Sequence, residues 1–503
     1  MRLDIIGLAL EIRGDGGGAR VACDAVQDLL SALMDAAAER CDYADARVVH
    51  SKEESISTRN GRVDELDRHE AHGAGIRVRY GGGWGFAATR ELSRAGLEAA
   101  LARALEVAEA QPGASPTPLT AEPPASGRYD SPCERDPFEV PTEEKLETLL
   151  AADAAMRAEA AVAITSAHFQ AWSEERLFAS TEGARCEQRT IDCGGGIAAV
   201  AVGDGETQVR SYPASFRGDV ARAGYEHFAG LDLLRHASRV AEEAVALLTA
   251  PACPAERTTL ILDGQQLALQ VHESIGHATE LDRVLGLEAS YAGTSFLSTA
   301  DVGMRRYGSP LMQVSADATV AGGLGTFGWD DEGVAAQRVE IVREGILSGF
   351  LSSRESAAEI GLERSGGCMR SSGFDRQPVV RMTNVNLEPG DAGSLDDLVA
   401  ATERGVLMET NRSWSIDSRR LHFQFATEVA WEIVGGERRR MLRNPSYAGV
   451  TPELWAGLDA VCSTPEWRLW GVVNCGKGEP GQLMRVSHGT APARFRDVQV
   501  GVA

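Results

Sequence analysis

Residues 272–277 read His272-Glu273-Ser274-Ile275-Gly276-His277, with a histidine at each end of a stretch that predicts a helix. Zinc binds neutral imidazole nitrogen readily, and a carboxylate beside the ion can accept a proton from water and so generate a nucleophile. The stretch therefore predicts a metal-dependent hydrolase in which His272 and His277 bind the ion and Glu273 is the general base. The alternative is ordinary helix histidines beside a surface carboxylate.

The spacing of the histidines differs from that of the H-E-x-x-H motif, because three residues separate Glu273 from His277. Positions i and i+5 lie about 140° apart around an α-helix, whereas positions i and i+4 lie about 40° apart. A regular helix would direct the imidazoles away from a common ion. Both can bind one metal only if the helix bulges or ends between them. We expect this irregularity at Gly276, because glycine is a poor helix former.

Further blocks of acidic, glycine, arginine and cysteine residues occur along the chain. In the C-terminal half these blocks are Asp330-Asp331-Glu332-Gly333, the hairpin-like segment 341–350, Arg381-Met382-Thr383-Asn384, Pro389-Gly390, Cys475-Gly476-Lys477 and Gly481-Gln482. In the N-terminal half they are Tyr43-Ala44-Asp45, 75–78, 84–87 and 179–183. The H-E-x-x-x-H motif itself continues through Glu280 and Asp282. With that motif, these blocks resemble the TldD/PmbA family of metallopeptidases, specifically its TldD-type catalytic subunit, over nearly the whole chain.

The resemblance implies a third metal ligand, Cys475, because family members use a thiolate at this position. Catalytic zinc sites usually have three protein ligands and an open fourth position. Lys477 could lower the pKa of the Cys475 thiol. The alternatives are a buried structural thiol or a nucleophilic cysteine, with His422 or His488 as the third ligand. Glu280 is a candidate acidic ligand or a group that orients a ligand. Two nitrogens and a thiolate suit Zn²⁺ best, with Fe²⁺ or Co²⁺ as alternatives.

Three basic or amide side chains are candidates for substrate binding. Arg381 and Asn384 could hold a peptide backbone or a carboxylate, since the planar guanidinium suits such ligands; a structural salt bridge is the alternative. Lys477 is the third candidate. The acidic run 330–332 is either functional or a hairpin turn with solvated carboxylates.

The resemblance implies a metallopeptidase that cleaves unfolded or modified peptides, including leader segments. It also implies a homodimer or a heterodimer with a related subunit, with the site enclosed at the dimer interface. Extended peptides would then enter and add as β-strands. The alternatives are a noncatalytic partner or scaffold subunit, and a metal-dependent amide hydrolase that acts on a small molecule.

Composition limits the partners and the compartment. A net charge of −23 in 503 residues, without a cluster of Lys and Arg, argues against nucleic-acid binding. The apolar run 5–10 is too short for a signal peptide, and no run approaches the ~20 apolar residues of a membrane span. Nine cysteines without C-x-x-C pairs fit a reducing compartment. We expect a cytoplasmic protein that does not interact with membranes.

Periodicity predicts an α+β fold with two domains, 1–250 and 251–503. In the first, a mixed α/β domain, helices are expected over 23–40 with a capping box at Asp24 and Gln27, after Ser93 and from Thr142; strands are expected over 43–51, 75–80, 84–88, 172–180 and 184–190. A Pro-rich loop is expected over 111–140 and the domain boundary over 247–256. The second is predicted to be a β-rich domain, in which a strand over 258–262 leads through Asp263-Gly264 into the embedded metal-motif helix.

Overall fold

Each half of the chain is built around a large β-sheet in the computed structural model, which describes residues 16–111, 117–203 and 205–502. The apolar run 5–10 lies outside the described residues. The model confirms the α+β class and the strand-rich C-terminal half. Among the described helices, none is long and apolar enough to cross a membrane.

The first half of the described chain alternates long strands with helices. Its strands are β1 (Tyr43–Arg59), β2 (Arg62–Tyr80), β3 (Gly83–Thr89), β4 (Ser126–Asp130), β5 (Val162–Ser180), β6 (Arg185–Gly203), β7 (Glu206–Tyr212) and β8 (Asp219–Ala221). Its helices are α1 (Gly16–Ala38), α2 (Arg94–Glu109), α3 (Thr142–Met156), α4 (Tyr225–Gly230) and α5 (Leu233–Thr249).

These strands form one sheet in the order β3-β2-β1-β5-β6-β4, with β7 and β8 also paired to β6. Successive side chains of a strand point to opposite faces. On one face, α1 and α2 cover one end of the long strands, and α3, α4 and α5 cover the other end. The alternate residues, including Arg47 and Arg77, meet the second half of the chain.

The second half contains shorter strands and several one-turn helices. Its strands are β9 (Glu256–Leu262), β10 (Val314–Asp317), β11 (Arg338–Arg343), β12 (Ile346–Leu347), β13 (Met369–Arg370), β14 (Val379–Val380), β15 (Val385–Leu387), β16 (Arg404–Ile416), β17 (His422–Val434), β18 (Glu437–Leu442), β19 (Ser446–Val450), β20 (Leu458–Val461), β21 (Arg468–Lys477), β22 (Gln482–Thr490) and β23 (Ala493–Val500). Its α-helices are α6 (Gly264–Val271), α7 (Leu281–Val284), α8 (Arg354–Glu359), α9 (Leu395–Ala400) and α10 (Thr451–Ala456).

The main sheet of this half has the order β16-β9-β23-β19-β17-β18, with β20 paired to β23. Strand β16 also pairs with β17, so that five strands close into a ring. Strand β9 lies between β16 and β23, and a single large hydrophobic core fills the surrounding space. The metal-motif helix begins directly after β9. Because β9 is a buried central strand, the first residue of this helix is fixed within the core.

The acidic run 330–332 is buried between the two halves, which rules out a turn with solvated carboxylates. Asp331 accepts hydrogen bonds from Arg47 and Ser371 at 3.1 and 2.7 Å and pairs with Arg176. Glu332 lies 3.3 Å from Arg77, which itself pairs with Asp45 on the neighbouring strand. The run therefore joins the N-terminal sheet to the C-terminal half through buried ion pairs.

Most local predictions for the first half are confirmed, with two corrections. Helix α1 begins at Gly16, and Asp24 is therefore an exposed residue within the helix instead of its cap. The loop predicted over 111–140 contains β4, which pairs in parallel with β6. In contrast, Ser93 caps α2 as predicted, through a 3.2 Å hydrogen bond from Gly96 N–H.

Replacing Asp331 with alanine should destabilise the protein strongly. The substitution leaves the fully buried Arg47 guanidinium without its carboxylate, and breaking such a buried pair costs about 3–5 kcal/mol. Chemical denaturation followed by fluorescence would measure the change. The control Asp130→Ala breaks an exposed pair with Arg128 and should cost less than about 1 kcal/mol. Equal midpoints for the two variants would contradict the structural role of the buried run.

Candidate metal centre

The motif helix α6 begins directly after β9 and is fixed at its start. Asp263 caps it by accepting a 2.8 Å hydrogen bond from Gln266 N–H, and the helix starts after Asp263-Gly264 as predicted. The Gln266 and Gln270 side chains both bond to the hydroxyl of Tyr447, at 2.9 and 3.0 Å. The helix thus enters the core with a fixed rotation about its axis.

The helix is irregular where both histidines occur. Residues His272–Gly276 form one π-helical turn, and His277–Thr279 a short 3₁₀ turn. The His277 N–H donates to the carbonyl of His272, an i to i+5 hydrogen bond. Because a π turn holds one more residue than an α turn, residue i+5 takes roughly the place of residue i+4. The imidazoles consequently lie together, with ring centroids 4.8 Å apart. The predicted irregularity is confirmed.

Gly276 is the last residue of the π turn and packs closely against the side chain of Met382. A Cβ atom there would lie 2.2 Å from Sδ of Met382. The turn is also held from outside, since Trp455 donates a 3.0 Å hydrogen bond to the hydroxyl of Ser274 and Tyr307 donates to the Ser274 carbonyl. Burial of these groups fixes the bulge in place.

The third candidate ligand comes from the β21–β22 hairpin. The pairing register of this hairpin shifts between Val472 and Cys475, which marks a bulge just before the cysteine. Such bulges commonly redirect side chains near active sites. Cys475 Sγ lies 3.6 Å from Nε2 of His277. One ligand atom from each of His272, His277 and Cys475 lies within 4.8 Å of the others, and all three residues are buried.

A hydrogen-bond chain behind His272 fixes which ring nitrogen is free. His488 Nδ1 lies 2.8 Å from the carbonyl of Val385, which only accepts, so this nitrogen carries the proton. His488 Nε2 must then accept from His272 Nδ1, 2.8 Å away. That arrangement leaves the Nε2 lone pair of His272 free for a metal. His488 is therefore placed to orient His272 and is not one of the three clustered candidate ligands.

Glu280 acts on His277 in the same way. Its carboxylate lies 3.0 Å from Nδ1 of His277, which leaves Nε2 free on the side of Cys475. Lys477 and Arg283 lie 3.3 and 3.4 Å from the same carboxylate oxygen. Carboxylate partners of ligating histidines commonly fix the ring and raise its basicity.

The protonation states of these groups suit metal binding at neutral pH. Burial lowers the pKa of His272 to about 4 and also lowers the pKa of His277, so both rings are neutral. Burial raises the pKa of the Cys475 thiol, but the positive charge of Arg381 opposes this effect and the pKa is lowered overall. Burial likewise raises the pKa of Glu280, and Lys477 and His277 hold it well below its usual range.

The kinds of donor suit a zinc ion, and the separation of one ligand pair matches tetrahedral coordination. With Zn–N of ~2.1 Å and Zn–S of ~2.3 Å, tetrahedral ligands would place N and S about 3.6 Å apart. The separation of His277 Nε2 and Cys475 Sγ is 3.6 Å. Two neutral imidazoles and a thiolate could provide three ligands and would leave a fourth position open, the usual arrangement of catalytic zinc sites.

A cleft of about 410 Å³ opens onto these ligand atoms. Glu273 lines it beside the histidines, and its carboxylate lies 2.5 Å from the guanidinium of Arg420. Both halves of the chain contribute walls: Gln170 and the segment 214–218 from the first, and the ends of β16 and β21 from the second. The candidate site therefore lies in a cleft at the junction of the halves.

The structure does not support the prediction that Arg381, Asn384 and Lys477 bind substrate. All three side chains are buried and none lines the cleft. Arg381 donates to the backbone carbonyl of Cys475, and Asn384 bonds to the 317–326 loop. Lys477 forms a 2.7 Å pair with Asp282 instead of facing the thiol. Arg381, and not Lys477, thus favours the thiolate and holds its strand.

Sequence reasoning missed Arg420, and it proposed His422 and His488 only as ligands. Arg420 bonds to a residue 147 positions away and His488 to one 216 positions away. No local pattern marks either contact. His422 is exposed and bonds to Asp417, away from the ligand atoms.

Family models match the chain in three consecutive segments. They are described as PmbA/TldA metallopeptidase domain 1 over residues 44–108, the central domain over 135–248 and the C-terminal domain over 255–502. The chain belongs to the PmbA/TldD metallopeptidase family. A metalloprotease of Methanothermobacter thermautotrophicus is 30% identical over 482 residues, covering 94% of this chain and 98% of that protein.

Other proteins share the sequence or the fold of this chain. A zinc metalloprotease TldD homolog of Saccharolobus solfataricus is 26% identical over 48% of this chain and 51% of that protein. The crystal structure of TldE from Thermococcus kodakarensis superposes with a TM-score of 0.72 at 16% identity, over 94% of this chain and all of that one. The structure of a Thermotoga maritima protein described as a modulator of a DNA gyrase superposes with a TM-score of 0.74. The identity is again 16%, over 94% of this chain and 100% of that one. These structures establish the shared fold.

Replacing Cys475 with alanine should lower zinc affinity at least about 100-fold, because one of three ligands is lost. Elemental analysis after dialysis against a buffered zinc concentration would measure bound metal. Cys462→Ala is a matched control, since Cys462 is equally buried but is not among the clustered ligand atoms. Wild-type metal content in the Cys475 variant would exclude the thiolate as an essential ligand.

Replacing His488 with phenylalanine should weaken zinc binding about 10–100-fold, the usual cost of losing a group that orients a ligand. Phenylalanine cannot accept the hydrogen bond from His272 Nδ1. Without this bond, nothing selects the tautomer of His272 in which Nε2 is free. Competition with a chromophoric chelator would measure the affinity. A larger loss than that of Cys475→Ala would instead indicate that His488 binds the metal directly.

Proposed function

We propose that the protein is a zinc metallopeptidase that hydrolyses peptide bonds of unfolded or modified peptides. The observation that carries the proposal is the convergence of His272, His277 and Cys475 within 4.8 Å, with Glu273 beside them in one cleft. Family membership supports the activity, and the name of the Saccharolobus solfataricus relative supports zinc over Fe²⁺ or Co²⁺.

When bound, the ion would act as a Lewis acid that polarises the substrate carbonyl and acidifies water. His272, His277 and Cys475 would hold it, and His488 and Glu280 would keep the ring nitrogens aimed at it. Glu273 would accept the proton of the attacking water and return it to the leaving amine. The carboxylate borders the cleft beside the ligands, so a single residue can perform both transfers.

The cleft supports a substrate in extended form, such as a leader peptide or an unfolded small protein. Its volume of about 410 Å³ admits a few side chains and excludes a folded domain. We propose that extended peptides add as β-strands when they enter the site. We also propose a cytoplasmic location and a homodimer or a heterodimer with a related subunit. The fold shared with TldE supports a partner of this family.

The ligand geometry argues against a noncatalytic scaffold role. A scaffold would gain nothing from a π turn, two oriented imidazoles and a buried thiolate, each of which carries a cost in stability. The small-molecule amidase alternative shares the same chemistry, and peptide length dependence would separate the two.

Glu273→Gln should keep the metal and lose hydrolysis. The metal should stay because the Glu273 carboxylate is not one of the clustered ligand atoms. Hydrolysis should be lost because the neutral amide of glutamine cannot accept a proton from water. General acid-base catalysis contributes roughly 10²–10⁴-fold to the rate. We expect kcat of Glu273→Gln to fall by a factor in the upper part of this range. The assay uses an unfolded peptide, with the partner subunit if activity requires it.

Glu432→Gln serves as the control, because Glu432 is a carboxylate on β17 outside the cleft. Activity of Glu273→Gln within about threefold of wild type at equal metal content would mean that another group is the base.

A further inference from the structure

The guanidinium of Arg420 is the cation in contact with Glu273. Nη1 donates to Glu273 Oε2 at 2.5 Å, and the side chain is only 16% exposed. The residue also lines the cleft that opens onto His272, His277 and Cys475. It therefore lies in the same cleft as Glu273 and the three candidate metal ligands.

The turn between β16 and β17 holds Arg420 rigidly. Its backbone is left-handed, with φ of 65°, a conformation that is costly for a non-glycine residue. Asp417 stabilises the turn by accepting from the N–H groups of Arg419 and Leu421, at 3.1 and 2.9 Å. The carbonyl of Arg420 accepts a 2.8 Å hydrogen bond from Thr451. Backbone strain held by surrounding bonds is a feature of ligand-binding positions.

Most of the donors of Arg420 have no acceptor among the described residues. A guanidinium has five N–H groups. Nη1 bonds to Glu273, Nε is buried without a partner, and no described residue accepts from Nη2. Buried donors are nearly always satisfied in folded proteins, by protein, water or ligand. Nη2 is the donor that an oxygen-bearing ligand in the cleft could reach, because Nε is buried and the Arg420 side chain lines the cleft.

We propose that Arg420 is a catalytic residue that binds the carbonyl oxygen of the scissile peptide bond as negative charge develops on it. This inference rests on the proposed peptidase function. As the water oxygen bonds to the carbonyl carbon, the π electrons of the carbonyl move onto its oxygen, which accepts an N–H of Arg420. Glu273 receives the proton from water. When the C–N bond breaks, the carbonyl re-forms and the amine takes that proton.

The same guanidinium has a second role before substrate binds. Its bond with Glu273 holds that carboxylate in the cleft, beside the candidate metal ligands. Charge on the carbonyl oxygen then competes with Glu273 for the guanidinium as Glu273 becomes neutral. Protonation of Glu273 weakens its bond with Arg420, and negative charge on the carbonyl oxygen strengthens the new one. The guanidinium therefore exchanges Glu273 for the oxyanion as the reaction proceeds.

Steady-state kinetics of Arg420→Gln and Arg420→Lys would test this role. The substrates are one unfolded peptide with a free C-terminal carboxylate and the same peptide amidated. We expect kcat of Arg420→Gln to fall roughly 10²–10³-fold on both substrates, as for other losses of an oxyanion donor, with KM changed less than about threefold. Arg420→Lys should recover part of kcat, and metal content should match wild type in both variants.

Arg419→Gln is the matched control, because it removes the same charge from the neighbouring position of the same turn, where the side chain is exposed. Its kinetics should equal those of wild type.

Three results would overturn the proposal. A rise in KM confined to the free-acid peptide would make Arg420 an anchor for the substrate carboxylate. Loss of metal in both Arg420 variants would make its role structural. Unchanged kcat would exclude any role in the reaction. An active Arg420→Gln with an inactive Glu273→Gln would overturn this proposal alone, whereas a metal-loaded wild-type protein without hydrolysis would overturn the proposed function as well.

Discussion

The i to i+5 hydrogen bond from His277 N–H to the His272 carbonyl is the constraint on which the site depends. In a regular α-helix these imidazoles would diverge by about 140°. The π turn removes that divergence, and the rest of the C-terminal half is arranged to keep it. Met382 occupies the space beside Gly276, and Trp455 and Tyr307 bond to Ser274. The large core around β9 thus stabilises one irregular helical turn.

Once the imidazoles converge, the remaining contacts set their chemistry. His488 and Glu280 each bond to the Nδ1 of one histidine and leave its Nε2 free. Arg381 lowers the pKa of the Cys475 thiol, against the effect of burial, and bonds to the cysteine's own carbonyl. Buried charge is costly unless it is paired. The pairs of Glu280 with Lys477 and Arg283 therefore explain why so many ionisable groups persist around the candidate metal centre.

The sequence predicts best those helix ends and strands that depend on residues close together in the chain. Ser93 and Asp263 mark helix starts because their side chains bond to nearby backbone N–H groups. Strand β4 was missed because its parallel partner β6 lies about 60 residues later, beyond any local pattern. The burial of residues 330–332 depends on arginines from the first half, such as Arg77, 255 positions away from Glu332. The placement of the 247–256 domain boundary remains a prediction.

The residues of the candidate site also differ in how far the sequence predicts them. His272, Glu273 and His277 follow from a short motif, and the spacing alone indicates that the helix must be irregular. Cys475 came only from family resemblance, since nine cysteines offer no other basis for choice. Arg420 and the role of His488 follow from three-dimensional contacts alone. X-ray absorption spectroscopy of the zinc-loaded protein tests the central claim most directly. The account predicts one sulfur scatterer at about 2.3 Å with nitrogen or oxygen scatterers at about 2.0–2.1 Å, and a shell without sulfur would contradict it.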